Sequence, residues 1–84
     1  MVYYLIICRS LTYAQRTASV LTRAGIGAHI MRSPKSIDSE GCSHAVKVSE
    51  RSLSLALTVL AREGLSPQRV YIASADGAYN EVYL

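Results

Sequence analysis

The most reactive side chains of this chain lie in one polar stretch, residues 32–44. Cys42 directly follows Gly41 and stands two residues before His44. The thiolate is the reactive form of cysteine, and a nearby cation or helix N-terminus lowers the pKa of the thiol. Cys42 is therefore a candidate nucleophile, with Gly41 allowing close backbone approach to a bound group. An ordinary loop cysteine without chemistry is the alternative for the same pattern.

Metal binding is a weak explanation for these residues. Cys42 and His44 supply two ligands, whereas a structural zinc site needs four and a catalytic site usually three. Cys8 and His29 are the other cysteine and histidine of the chain. We therefore expect no metal and no cofactor. Cys8 ends an apolar run, where a free cysteine is often a small buried hydrophobic residue. It is therefore a weaker candidate than Cys42 for a reactive thiol.

Several functional classes fit poorly. Two loop carboxylates, Asp38 and Glu40, are too few for a glycosidase argument, and the chain has no Gly-rich phosphate motif. The net charge of +3 is spread along the chain, and the third predicted strand lacks the basic-aromatic pattern of RNA-recognition domains, so we expect no nucleic-acid partner. No apolar run reaches membrane-spanning length, and the apolar start lacks the cationic stretch of a signal peptide. We expect a cytoplasmic protein with reduced thiols.

The hydrophobic pattern predicts short strands alternating with two helices. Ser10 is the expected N-cap and Gly25 the expected C-terminal end of the first helix; Ser49 and Gly64 play these parts for the second. The first helix should bury Leu11 among other apolar residues. The expected strands are residues 2–8, 27–31, 45–48, 69–73 and, less firmly placed, 79–84.

This order of elements predicts a single α+β domain over residues 1–84. It is the pattern of the ferredoxin-like βαββαβ two-layer sandwich, with both helices on one face of an antiparallel sheet of order 4-1-3-2. Residues 75–84 form a tail or an extra edge strand. The topology should bring Cys8, Arg9, Ser10, Arg32 and residues 42–44 to one edge, where Arg9, Arg32 and His44 could tune the Cys42 thiolate.

The first strand is apolar on both of its alternating faces, although two helices can cover only one face of the sheet. One of its two alternating sets, Tyr3-Leu5-Ile7 or Tyr4-Ile6-Cys8, would then lie on the open face, and large exposed apolar patches usually mark interaction surfaces. We therefore predict a homo-oligomer formed through this face, through the tail, or through both. The alternative is a monomer in which the tail folds over the open face.

Specific sequence features resemble a known family. A helix ending in Ala24-Gly25-Ile26, Pro34 ahead of Gly41-Cys42, and a helix ending in Glu63-Gly64-Leu65 are similar to the small bacterial selenium/sulfur carrier-like proteins, also called DUF3343. The resemblance covers about residues 3–72. Ser43 stands where that family commonly has glycine.

The resemblance implies a carrier that holds sulfur or selenium on Cys42. Its partners would be a cysteine desulfurase-type donor and an acceptor protein, and the chain would be an accessory protein rather than a stand-alone enzyme. An alternative from another class is a non-catalytic ferredoxin-like binding or assembly module that acts through dimerisation or a small ligand. The fold alone does not choose between them.

Overall fold

The computed structural model describes residues 2–38 and 43–83, which form an α+β structure with a five-stranded antiparallel sheet and two helices. In chain order the elements are β1 (Tyr3–Cys8), α1 (Leu11–Arg23), β2 (His29–Arg32), β3 (His44–Ser49), a 3-10 turn (Glu50–Ser52), α2 (Leu53–Arg62), β4 (Arg69–Ala73) and β5 (Tyr79–Val82). Neither helix is long and apolar enough to cross a bilayer, as far as the described residues extend.

The strand order across the sheet is β2-β3-β1-β4-β5. Read from the other edge, the predicted order 4-1-3-2 is the order of the first four strands, and β5 is added outside β4. Tyr79 pairs with Ala73 in an antiparallel register, so the tail extends the sheet edge and does not fold over the open face. The prediction of a homo-oligomer stays a prediction.

Both helices end in the way that the glycines predict. Gly25 follows the C-cap of α1 with φ +82°, Gly25 N donates to Thr22 O at 3.0 Å, and Ile26 N donates to Leu21 O at 2.9 Å. This is the Schellman arrangement, with a buried contact between the two aliphatic side chains at its ends. The same pattern recurs after α2 at Gly64 and Leu65, where Leu65 N donates to Leu60 O at 2.9 Å.

The N-terminal ends of the two helices agree with the sequence prediction only in part. Ser10 caps α1, its hydroxyl accepting from Tyr13 N at 3.1 Å. The expected N-cap role of Ser49 is wrong, because a 3-10 turn precedes α2 and the Ser49 and Ser52 hydroxyls bond each other at 2.9 Å. Leu11 is also exposed, since the buried stripe of α1 runs instead through Ala14, Thr17, Ala18, Val20 and Leu21.

The helices cover one face of the sheet. Tyr4, Ile6 and Cys8 of β1 face α1 and α2, and they pack with Val46 and Val48 of β3. This helix-facing core also takes in Ala14, Ala18, Val20, Leu21, Ile26, Ala56, Leu60 and Leu65. The alternation of β1 therefore sends its other side chains to the helix-free face.

The helix-free face has its own small core. Leu5 and Ile7 are 0% and 3% exposed, and Ala45 is fully buried beside them. The side chains packed around these three are Tyr3, Met31, Ile37, Tyr71 and Tyr79. The expectation that one apolar face of β1 is left exposed is therefore wrong, because tyrosine rings, Met31 and one loop residue of the same chain cover Leu5 and Ile7.

Tyr3 has polar neighbours on this face. A hydrogen bond to Tyr3, with burial as a smaller cause, raises the pKa of Tyr79 above its ordinary value. The Lys47 ammonium lies 4.3 Å from the centroid of the Tyr3 ring on the other side. The tyrosines thus form a connected rim around Leu5, with polar groups at the water side.

We expect Gly25→Ala to lower the free energy of unfolding by about 1 kcal/mol, because alanine in a left-handed conformation meets its own backbone. A methyl group at this position has no other atom within 4 Å, so the cost is conformational and not a clash. The control is Gly27→Ala, which is equally open and lacks the positive φ. Urea denaturation measures both, and equal losses in the two variants would contradict the explanation.

Candidate functional site

The predicted convergence at one end of the sheet is seen in the strand registers. Cys8 pairs with His44 across β1 and β3, and His44 pairs with Arg32 across β3 and β2. The three residues form one row at the end of the sheet where β1 gives way to α1. Cys42 and Gly41, the carrier thiol and its neighbour in the sequence prediction, lie outside the described residues.

His44 lies on the helix-facing side of this row, since it alternates with Val46 and Val48 of the same core. Its Nδ1 is buried and has no hydrogen-bond partner among residues 2–38 and 43–83. Arg32 is exposed beside it at the edge of the sheet. Arg32 ends β2 and His44 begins β3, so the two residues flank the loop between these strands.

Cys8 has the surroundings of a core residue. It is 1% exposed, and its Sγ lies 3.7 Å from Ile6 O and 3.8 Å from Thr17 Oγ1, contacts in which the thiol donates. Burial raises the pKa of the Cys8 thiol above its ordinary value, and the hydrogen bond with Thr17 offsets part of this effect. Low access and a raised pKa both disfavour the thiolate.

A group of three side chains closes the base of the loop between β2 and β3. Asp38 Oδ2 accepts from Ser43 N at 2.9 Å and from the Ser43 hydroxyl at 2.7 Å. The Ser43 hydroxyl also lies 2.9 Å from Ser33 Oγ, and Ser33 N donates to Ser43 O at 3.2 Å. Ser33 and Ser43 are buried. We call these three residues the loop clamp.

The first half of the loop is a short turn that aims Asp38 back at Ser43. Ile37 N and Asp38 N both donate to Pro34 O, at 3.0 and 2.9 Å. The turn places the Ile37 side chain against the small core of the helix-free face, which includes Ile7. One apolar contact and one carboxylate therefore hold adjacent residues of the loop onto the sheet.

A pocket of about 280 Å³ opens beside the clamp on the helix-free face. Of the described residues, those lining it are Ile7, Arg9, Ile37, Asp38, Ser43, Gln68 and Arg69. We call it the arginine pocket. It combines an apolar floor with two guanidinium groups, and its wall includes Ser43, the residue that follows Cys42 in the chain.

Arg9 and Arg69 come to this pocket from different elements. Arg69 is the first residue of β4, placed by its pairing with Ile7 and by Gln68 N, which donates to Ile7 O at 3.0 Å. Its Nη1 lies 3.5 Å from the Tyr71 hydroxyl. The Arg9 guanidinium carbon lies 5.4 Å from the centroid of the Tyr13 ring. Arg9 therefore lies over an aromatic ring, whereas Arg69 makes a hydrogen bond to a tyrosine hydroxyl.

Sequence reasoning missed the loop clamp and Arg69. The start of β4 lies at the same sheet end as the end of β1, because the two strands are antiparallel; this topological argument could have found Arg69. The sequence signal for the clamp is an aspartate four residues after Pro34. Its partner, Ser43, is seen only in the folded structure. Within the described part of the chain, no group of three or more His, Cys, Asp or Glu side chains is arranged to hold a metal ion.

The chain matches a family of known proteins over a region that includes this loop. A family model described as "Putative Se/S carrier protein-like" matches residues 3–72. The chain belongs to this family. The match confirms the resemblance drawn from the sequence, and its span contains both helices, the loop clamp and the whole lining of the arginine pocket. No curated protein and no solved structure matches the chain.

Within this carrier-like family, the serine at position 43 has a physical explanation here. Glycine, the common residue at that place in the family, offers a backbone N–H but no hydroxyl. Ser43 uses both groups on Asp38 Oδ2. The serine therefore adds a second hydrogen bond to the clamp at the position next to Cys42.

We expect Asp38→Asn to loosen the loop, because a neutral amide oxygen is a weaker acceptor for the two Ser43 donors than a carboxylate. The amide of Ser43 should exchange its hydrogen faster, and the free energy of unfolding should fall by about 1–2 kcal/mol. Asp76→Asn is the matched control, since Asp76 Oδ1 accepts one exposed bond from Ala78 N at 3.1 Å. Unchanged exchange at Ser43 would contradict the clamp.

The raised pKa of Cys8 predicts a loss of stability at alkaline pH. The unfolded thiol ionises near its ordinary value of about 8.5, whereas the folded thiol stays neutral to higher pH. Its stabilising contribution is therefore complete below about pH 8.5 and is lost as the pH rises through the folded value.

Between about pH 7.5 and about pH 9.5, wild type should lose up to about 1 kcal/mol more than Cys8→Ala. Urea denaturation at the two pH values gives this difference, in which the other titrating groups cancel. Equal pH dependence of the two proteins would show that burial does not shift Cys8. The lower absolute stability of the variant plays no part in the comparison.

Proposed function

We propose that this protein carries sulfur or selenium on Cys42, as a persulfide or selenopersulfide. The observation that supports the proposal most is family membership across residues 3–72, in a chain whose Cys42 directly precedes a clamped residue of the arginine pocket. A cysteine desulfurase-type protein would be the donor, and a second protein would take the atom on. A cytoplasmic location, where thiols stay reduced, fits this role.

The proposed step is an exchange between a thiolate and a persulfide. The Cys42 thiolate attacks the terminal sulfur of the donor persulfide, a new S–S bond forms on Cys42, and the donor leaves as a thiolate as its own S–S bond breaks. No net oxidation occurs, so no external oxidant is needed. The reverse reaction, with an acceptor thiolate or other nucleophile, unloads the carrier. Thiolate fraction and access control both steps.

The residues around the loop have distinct parts in this proposal. Arg9 favours the thiolate by its positive charge, and Gly41 gives a partner protein access to the backbone. Arg32 at the end of β2 and His44 at the start of β3 add positive or polar character on the helix-facing side. Cys8 has no part in the transfer, since its thiol is packed in the core.

The half-buried tyrosines on the helix-free face and the position of β2 at the sheet edge give some support to the alternative, a non-catalytic binding or assembly module. Ile30 of β2 is 39% exposed, and edge strands accept partners readily. This function would need no thiol chemistry. A comparison of wild type with Cys42→Ser therefore separates the two proposals directly.

We expect wild type to gain the mass of one sulfur atom after incubation with a cysteine desulfurase and cysteine, measured by intact-mass spectrometry under native conditions. Cys42→Ser should gain none. Cys8→Ala is the matched control and should be loaded like wild type, because its thiol is buried. Dithiothreitol should remove the added atom, as it reduces persulfides.

The proposal fails if wild type takes up no sulfur, or if Cys42→Ser is loaded to the same extent. A thiol pKa for Cys42 supplies an independent check, from the rate of iodoacetamide alkylation against pH in the Cys8→Ala protein. A value below the ~8.5 of a free thiol is expected if nearby cations favour the thiolate, as the proposal requires.

A further inference from the structure

The arginine pocket has features that carrier chemistry on a single cysteine does not require. A persulfide can be exchanged between two exposed thiols without any neighbouring cavity. Here a pocket of about 280 Å³ lies beside Ser43, and two guanidinium groups from separate elements line it. Its volume lies just below the lower end of the ~300–1,000 Å³ range of small-molecule pockets, so it suits a small ligand.

The charges in the pocket favour a small anion. Arg9 and Arg69 bring two positive charges and Asp38 one negative charge, which leaves an excess of one positive charge among the described lining residues. Asp38 Oδ2 is committed to Ser43, so this carboxylate serves to close the loop. Each guanidinium has five N–H donors, so it can serve a protein acceptor and a bound anion at the same time.

Both arginines are held in place by contacts that leave their charge intact. The Tyr13 ring under Arg9 is itself fixed, because its hydroxyl donates to Ser66 O at 3.0 Å and accepts from Ser66 N at 2.9 Å. Arg69 bonds the Tyr71 hydroxyl, and this bond, more than the nearby Glu81, raises the pKa of its guanidinium. Guanidinium groups held in this way are suited to oxyanions.

We propose that the arginine pocket binds a tetrahedral oxyanion that carries a transferable sulfur, and presents it to Cys42. This inference rests on the proposed carrier function and names a class of small-molecule donor for it. Arg9 and Arg69 bind the oxygens, and the side-chain amide of Gln68 adds a hydrogen bond at the wall. Ile7 and Ile37 form the apolar floor against which the less hydrated sulfur lies.

Thiosulfate is the simplest member of this class, and its reaction balances. The Cys42 thiolate attacks the outer sulfur of thiosulfate, the S–S bond of thiosulfate breaks, and sulfite leaves with the electron pair. Cys42 is left as a persulfide anion. One negative charge on the thiolate and two on thiosulfate become one on the persulfide and two on sulfite. The arginines hold the leaving sulfite group throughout.

Binding is tested first without the reaction, in the Cys42→Ser protein. Sulfate and thiosulfate are titrated at constant ionic strength set with chloride, and the amide shifts of Ser43, Gln68 and Arg69 are followed by NMR. Arg9→Gln and Arg69→Gln, added singly, should each weaken binding by at least about tenfold. Arg16→Gln is the matched control, because it removes the same charge from an exposed site on α1 outside the pocket.

Transfer is tested next in the protein with Cys42 intact. Thiosulfate should load one sulfur atom onto Cys42, and Arg69→Gln should slow loading at low thiosulfate by about tenfold or more, with Arg16→Gln at the wild-type rate. The inference is overturned if neither oxyanion shifts the pocket amides, if all three arginine variants bind alike, or if thiosulfate leaves Cys42 unloaded. Acetate binding as tightly as sulfate would also overturn it, since the site would then be a carboxylate site.

These outcomes are separate from the test of the carrier function itself. Loading of wild type by a desulfurase with no binding of sulfate or thiosulfate would leave the carrier and remove the oxyanion site. Failure of desulfurase loading alongside arginine-dependent sulfate binding would remove the protein donor and leave the site. Thermal unfolding of each variant in the absence of anion confirms that the folded protein is compared in every case.

Discussion

The central strand β1 must be buried on both faces, and two helices can cover only one of them. This constraint explains much of the structure. Tyr4, Ile6 and Cys8 are covered by the helices, as in any two-layer fold. Leu5 and Ile7 would otherwise face water, at a cost of roughly 1.5–3 kcal/mol for each large side chain. The cover comes from tyrosine rings on flanking strands and from Ile37 of the loop.

The use of Ile37 as a cover connects the core to the candidate site. Once Ile37 lies on Ile7, the next residue, Asp38, is brought over the end of the sheet, where Ser43 donates to it twice. The start of β4 lies at the same place because β4 is antiparallel to β1. Arg69 thus reaches the loop through strand pairing, and Arg9 through the β1–α1 junction. The arginine pocket therefore results from two features: the packing of Ile37 on the small core and the antiparallel pairing of β1 with β4.

Much of this architecture can be predicted from the sequence, and the exceptions share a cause. The helix ends follow from Gly25 and Gly64, since local backbone preference determines them. The row of Cys8, His44 and Arg32 follows from topology. The cover over Leu5 and Ile7, the Asp38–Ser43 bonds and the displaced start of α2 were missed, because each depends on a contact between side chains whose distance only the folded chain defines.

The loop clamp also has a consequence for the evolution of this chain. Ser33, Asp38 and Ser43 secure both flanks of residues 39–42, and the registers of β2 and β3 are set outside that stretch. Both flanks are therefore fixed to the sheet by bonds that the described residues make with one another. Selection for a stable fold thus acts on Ser33, Asp38 and Ser43 even if none of the three takes part in a reaction.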